Sequence, residues 1–171
     1  MDRLLIFADI HGSHTAWLTV KALANPGDGI AVAGDLFDTR YGSYSSPDFS
    51  PELIRSDLKN LDFPFYYVYG NCDVEGFCKG YSHELTFKAL GKNIFIHHGH
   101  KLKHHPETTD IIIQGHTHLP QLETVDGQIF MNPGSIVLPR NSLPSYGVLD
   151  SKGIRLIALN TGKLLAAIDF S

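Results

Sequence analysis

The amino-acid sequence predicts an α/β protein in one domain, spanning 1–171, with two packed β-sheets and helices outside them. Three observations carry this. The first half alternates short apolar runs with helical segments. The second half is nearly all short strands joined by tight turns. The chain's 171 residues, 43% hydrophobic and 19% charged, suit one core of ordinary size and are too apolar for a chain disordered in its main state.

Residues 4–8 are an apolar run of the kind a buried strand needs, and it stops at Asp9. Residues 16–24 read as a helix, ended by Asn25-Pro26-Gly27. A second apolar run, 30–33, stops at Gly34-Asp35, and the Gly, Ser, Tyr and Pro-rich stretch 39–50 is a loop long enough to serve function. Ser50-Pro51 reads as an N-cap with Pro in the first helical position, opening a helix to about residue 61 with Leu53, Ile54, Leu58 and Leu61 on one face. Residues 65–69 make a third strand. From Leu85 onward short strands are expected at 93–97, 110–114, 121–125 and 128–131, the last two joined by an Asp126-Gly127 hairpin signal. Residues 146–149, 154–159 and 164–170 suggest a meander.

Charge and composition exclude several classes. Eighteen acidic against fourteen basic residues give a formal charge of -4, so a broad basic face for wrapping nucleic acid is not expected. The two cysteines, Cys72 and Cys78, build no disulfide framework, and no signal peptide is read before the first strand, which points to the cytoplasm. No apolar stretch reaches the roughly 18 residues of a membrane helix. Histidine is the unusual component, with ten in the chain and seven between His97 and His118.

Five apolar runs end in a short polar sequence: Asp9-Ile10-His11, Gly34-Asp35, Gly70-Asn71-Cys72-Asp73, His98-Gly99-His100 and Gly115-His116-Thr117-His118. Strands that run the same way deliver their ends to one edge, where ligand sites gather, so these residues converge. The neighbouring glycines, Gly34, Gly70, Gly99 and Gly115, suit sharp turns because Gly tolerates backbone angles that other residues resist. Each piece alone has a plainer reading: Asp-x-His as a turn with a helix cap, Gly-Asp as an ordinary loop, His-x-His as a solvated pair on one strand face. Their conjunction favours chemistry. Carboxylate, carboxamide and imidazole make a mixed oxygen and nitrogen set that suits two divalent ions, Mn, Fe, Zn or similar metals. Asp35 is the natural bridge, since its two oxygens can serve two ions. Four positive charges facing the two negative ones of Asp9 and Asp35 leave a surplus that attracts an anion, best read as phosphate.

In this order the motifs resemble the signature of the calcineurin-like metallophosphoesterases, in particular their small bacterial and archaeal phosphodiesterase branch. Gly115-His116-Thr117-His118-Leu119-Pro120, Asn132-Pro133-Gly134-Ser135 and Ser145-Tyr146-Gly147-Val148-Leu149-Asp150 extend the match over nearly the whole chain. The resemblance implies a four-layer α/β/β/α sandwich of two mixed sheets flanked by helices. It places Asp9, His11 and His118 on one metal, Asn71, His98 and His116 on the other, and Asp35 between them. It implies a phosphodiesterase in which water or hydroxide between the metals attacks phosphorus in line. Asp35, Asn71, Cys72 and His98 are then the catalytic candidates.

Cys72 stands where the wider family has a His that protonates the leaving oxygen or steadies phosphate. A thiol of ordinary pKa about 8.5 matches neutral pH less well than imidazole, so good leaving groups are expected to react best. The plainer reading makes Cys72 a small buried side chain. Asp73 is read as orienting a neighbour. Arg40 can clamp a phosphate oxygen, or be an ordinary surface residue. His100 is a substrate-side candidate, whereas His97 points to the opposite strand face. The run 101–105 reads as a solvated loop, Tyr66, Tyr67 and Tyr69 as sheet packing, and residues 132–135 as a turn supporting the site. The competing functions are a phosphomonoesterase or nuclease on the same centre, or an interaction scaffold like the retromer's small subunit. The expected partner is a small phosphodiester. A dimer or tetramer of the chain is also expected, with no membrane and no stable nucleic-acid partner.

Overall fold

The structure is a computed structural model and describes residues 1–42, 46–101 and 104–170. Parts of the expected loops 39–50 and 101–105, namely 43–45 with Leu102 and Lys103, lie outside the described residues.

Six strands form one mixed sheet: β1 (Leu4–Phe7), β2 (Gly29–Val32), β3 (Phe65–Tyr67), β9 (Ser145–Asp150), β10 (Gly153–Ala158) and β11 (Leu164–Asp169), in the order β11-β10-β9-β1-β2-β3. The second mixed sheet has β4 (Glu84–Ala89), β5 (Lys92–His97), β6 (Ile111–Ile113), β7 (Pro120–Val125) and β8 (Gln128–Pro133), in the order β4-β5-β6-β8-β7. The expected meander is β9-β10-β11. Asp126 and Gly127, at φ 51° and 83°, close the β7–β8 hairpin. β4 was not foreseen as a strand, although Leu85, Phe87 and Ala89 alternate with more exposed Glu84, Thr86 and Lys88 in the strand period.

One apolar cluster lies between the sheets, with Leu4, Ile6, Ala31, Ala33, Ile94, Ile96, Ile111, Ile113 and Met131 buried in it. Each such fully buried large side chain contributes about 1.5–3 kcal/mol relative to exposure. The outward residues of β1 and β2, among them Leu5, Phe7, Ile30 and Val32, form a second cluster with the two helices. Helix α1 (His14–Leu23) buries Trp17 and Val20 there, and Ser13 caps it by accepting from the Ala16 amide. Helix α2 (Pro51–Leu58) buries Ile54 and ends before Leu61, earlier than expected. Ser50 precedes Pro51 but makes no side-chain cap bond, so fixed φ at Pro51 starts this helix rather than a hydroxyl cap. The Trp17 Nε1–H and Lys21 Nζ both donate to Asp57 Oδ2 at 3.1 Å, which ties α1 to α2.

β1, β2 and β3 are parallel, and so are β5, β6 and β8. Both sheets therefore bring C-terminal strand ends to one rim of the sandwich. No helix among the described residues is long and apolar enough to cross a membrane.

Candidate metal centre

Asp9 and Asp35 follow β1 and β2, Asn71 follows β3, and His98 and His116 follow β5 and β6. The loops carrying them are stitched together by backbone bonds: His11 N–H donates to Asp35 O at 2.8 Å, and Gly115 N–H to His98 O at 3.0 Å. Of nine described non-glycine residues with positive φ, six are here: Asp9, His11, Asp35, Asp38, His116 and His118. The left-handed region costs about 1–2 kcal/mol for an L-residue, so this clustering marks side chains aimed by the fold and not by local preference. Gly34 and Gly99, at φ 86° and 103°, meet the expected need for a positive φ. Gly70 and Gly115 do not, and their reason is space. A Cβ at 70 would lie 2.0 Å from Asp35 Oδ1, and one at 115 would lie 2.6 Å from Ala33 O.

Three histidines have their Nδ1–H committed to oxygen. His11 Nδ1 faces Asp38 Oδ2 at 3.2 Å, His98 Nδ1 faces Ala33 O at 2.8 Å, and His118 Nδ1 faces Leu138 O at 2.8 Å. Their Nε2 atoms are thereby turned to the centre. His11 Nε2 and His118 Nε2 stand 3.3 Å apart. Asp9 Oδ1 completes a triangle with them, fully buried, 3.9 Å from His11 Nε2 and within ion-pair reach of His118 Nε2 at 3.2 Å, which raises the His118 imidazole against the effect of burial. A buried carboxylate oxygen converging with two imidazole nitrogens is a donor set that fits a divalent metal. Asp9 Oδ2 accepts from the His116 amide at 3.0 Å.

The second group contains Asp9, Asp35 and His98, whose donors lie within 4.8 Å of one another, as do those of Asp9, His11 and His118. His98 Nε2 is 3.1 Å from Asp35 Oδ2 and 3.0 Å from Asn71 Oδ1. Burial alone would raise the Asp35 carboxyl, but the His98 hydrogen bond and charge, with the Cys72 amide 2.8 Å from Oδ1, hold it at about 2. Burial would likewise lower His98, and Asp35 outweighs it, raising the imidazole to about 9. The His116 ring lies 5.1 Å from that of His98 and is lowered by burial and by His98. It stands beside the second group and outside the tight donor sets.

Cys72 is buried, and burial followed by the Asp35 charge pushes its thiol well above the ordinary range. It is thus a neutral thiol, accepting from Asn71 Nδ2 at 3.2 Å, and a weak acid. Arg40 is exposed, donating its amide to Cys72 O at 2.8 Å and its Nη2 to Asp73 O at 3.4 Å. His100 is lowered to about 4 by burial and then His98, so it is a neutral ring 5.5 Å from His98.

Asp73 orients neighbours, as expected: Oδ1 accepts from the Phe37 and Asp38 amides, and Oδ2 accepts from Tyr67 Oη at 2.7 Å and the Gly70 amide at 2.9 Å. Tyr66 stacks on Phe87 at 3.9 Å, and Tyr69 donates to Cys78 O, so the tyrosines pack and brace. His97 packs beside Phe95 at 5.3 Å. In the supporting turn, Ser135 Oγ donates to Asp9 O at 2.7 Å and Asn132 Nδ2 to Gly115 O at 2.9 Å. Asp38 was missed by sequence reasoning. Its only signal was a second Asp three residues after Asp35, which looks like ordinary loop composition.

Comparison with known proteins gives a consistent picture. The family model of the calcineurin-like phosphoesterase superfamily domain matches residues 3–153. Phosphodiesterase YfcE of Escherichia coli (strain K12) is 31% identical over 183 aligned positions, covering 98% of this chain and 98% of the relative. The solved structure of Yfce, a phosphoesterase from E. coli, is similar with a TM-score of 0.79 at 25% identity, covering 99% of this chain and 100% of that one. Vacuolar Protein Sorting 29 from Cryptosporidium parvum shares the fold, with a TM-score of 0.69 at 20% identity, covering 99% of this chain and 98% of that one.

Proposed function

The chain belongs to the calcineurin-like phosphoesterase superfamily, and from that premise we propose that it is a metal-dependent phosphodiesterase with a dinuclear centre, working as one domain over 1–171. The observation that carries the reading is the buried Asp9 Oδ1 converging with the Nε2 atoms of His11 and His118. In this reading Asp9, His11 and His118 would hold one ion and Asn71, His98 and His116 the other, with Asp35 available to both. Two divalent cations, Mn first and Fe, Zn or Ni as alternatives, would supply Lewis acidity and a water activated at neutral pH.

The chain's own residues do the positioning. Asp38, Ala33 and Leu138 lock the three imidazoles in the ligating tautomer. Asn71 presents its carboxamide oxygen while its Nδ2 is engaged by Cys72. Arg40 offers an exposed guanidinium to the phosphoryl oxygens, and neutral His100 offers a hydrogen bond on the other side. Cys72 gives no ready proton, so esters with good leaving groups react fastest. Diester, monoester and nuclease readings share this centre and differ in the assay. The interaction-scaffold reading is disfavoured because all seven ligand types are present. A dimer or tetramer acting on a small diester in the cytoplasm completes the reading.

The test is a panel of aryl phosphodiesters, cyclic dinucleotides, oligonucleotides and phosphomonoesters, assayed with metal-stripped protein reconstituted with Mn, Fe, Zn, Ni or Mg. Metal-dependent diester hydrolysis, lost in Asp35→Ala and His116→Ala with circular dichroism unchanged, is expected. Metal-independent turnover, or a preference for monoesters, would overturn it.

A further inference from the structure

An edge strand leaves the N–H and C=O of every second residue without a ladder partner, open to pairing with another chain unless charge, proline or shortness guards it. Of the four edge strands among the described residues, three are guarded. β3 has three residues, β4 sets Glu84 and Lys88 on exposed positions, and β7 opens on Pro120 and exposes Glu123. β11 has neither proline nor charge over Leu164-Leu165-Ala166-Ala167-Ile168 and ends on Asp169. A register shift is confined to its start, opposite Leu156 and Ile157, and the ladder is regular from Ala166 to Asp169.

The Phe170 amide donates to Lys152 O at 2.9 Å, and bonded positions recur at every second residue of an antiparallel ladder. Ile168 and Ala166 therefore face β10, while Ala167 and Asp169 turn their N–H and C=O away from it. No strand among the described residues lies on that side. Leu165, Ala166, Ile168 and Phe170 rest on the inter-sheet core, and Lys92 Nζ sits 4.2 Å from the Phe170 ring centroid, so the strand is held firmly with its free edge outward. Charge marks its two ends. Exposed Lys163 precedes it, and Asp169, with a side chain 78% exposed, closes it and meets Arg155 Nη2 at 3.0 Å. A strand with a cation at its start and an anion at its end complements itself when it lies antiparallel to a second copy, whereas parallel pairing sets like charges together.

We propose that β11 is the edge on which two copies of this chain join, antiparallel about a two-fold axis at Ala167, so that their six-stranded sheets run on as one. Ala167 then faces Ala167 of the second copy, where its small side chain leaves room for the two strands to pair. Leu165 faces Asp169 of the second copy, and Lys163 lies diagonal to that Asp169 at both ends, within reach of a long side chain. β10 and β9 separate β11 from β1, the first strand to deliver a residue to the candidate centre, so each copy keeps its own centre open. This interface rests on the assembly named above and not on the catalytic reading.

The test uses the full chain. Sedimentation equilibrium is expected to show a dimer whose Kd rises about tenfold or more in Ala167→Pro, which removes the N–H at the axis while the Ala166 and Ile168 bonds to β10 remain. Ala167→Cys checks the register whether or not the proline variant folds. Its Cα atoms would stand about 5.5 Å apart across the axis, within the span of a disulfide, so mild oxidation yields a covalent dimer. Leu164→Cys, exposed but roughly 20 Å from its counterpart, yields none, and neither does the wild-type chain with Cys72 and Cys78. A wild-type chain that stays monomeric up to millimolar concentration would overturn the interface. So would a dimer indifferent to Ala167→Pro with circular dichroism unchanged, or cross-linking at 164 as efficient as at 167. Reduced Ala167→Cys is expected to match the wild-type chain in the diester panel, so a failed panel strikes the phosphodiesterase reading and leaves the interface standing.

Discussion

His11, His98 and His118 each commit Nδ1–H to an oxygen of their own chain, and only one of those oxygens, Asp38 Oδ2, carries charge. A carboxylate behind a ligating imidazole makes it a stronger donor and fixes its tautomer. Asp38→Asn is therefore expected to weaken metal affinity about 10–100-fold while the fold persists, measured by metal titration against a competing chelator. Unchanged affinity would make Asp38 a packing residue. Cys72 poses the opposite question, since its thiol is held protonated by burial and the Asp35 charge. Cys72→His is expected to raise activity on alkyl diesters by roughly tenfold or more and to leave aryl diesters nearly unaffected, because only poor leaving groups need a proton in the transition state. An equal change on both would remove position 72 from leaving-group chemistry.

At the scale of elements, the loops after β1, β2, β3, β5 and β6 decide the site. Gly70 lets the β3 loop pass against Asp35, where a Cβ would stand 2.0 Å from Oδ1 and 2.4 Å from the amide nitrogen. Gly70→Ala should cost about 1–3 kcal/mol in urea unfolding and remove one of two bound metals, because the backbone of Asp35 cannot yield as a flexible side chain would. Full metal content with wild-type stability would contradict this. These loops were the most legible part of the sequence, since an apolar run stopping at a polar pair is a local signal. Asp35 and His98 were both visible, but their pairing at 3.1 Å joins two sheets and has no local trace. The same holds for Asp38, for the space reserved by Gly70 and Gly115, and for the Ser135 bond to Asp9 O, which spans the chain. β4 had a period-2 pattern that was readable, whereas the missing Ser50 cap depends on how the preceding loop arrives.

For the whole molecule, charge at the rim couples metal binding to stability. Without metal, Asp35 at about 2 and His98 at about 9 stabilise each other, against ordinary values of 3.8 and 6.5. The His98 contribution is complete below its ordinary value and is lost as pH rises through its folded one. The Asp35 contribution is complete above its ordinary value and is lost as pH falls through its folded one. Metal competes with the His98 proton, so it binds better as pH rises. The metal-free melting temperature is thus expected to fall between about pH 6.5 and 9, while the increment on adding Mn grows over the same interval. Scanning fluorimetry with and without metal checks it, and two parallel profiles would contradict the coupling. Both described helices cover the six-stranded sheet, leaving the rim where the two sheets meet as the place where all these charges gather.

Anomalous scattering from crystals grown with Mn locates the pair of ions proposed for that rim. Two peaks ~3.5–4 Å apart are expected. Asp35 lies between them, Asp9, His11 and His118 surround one, and Asn71, His98 and His116 surround the other. A single peak, or two peaks with no Asp35 oxygen between them, would contradict it.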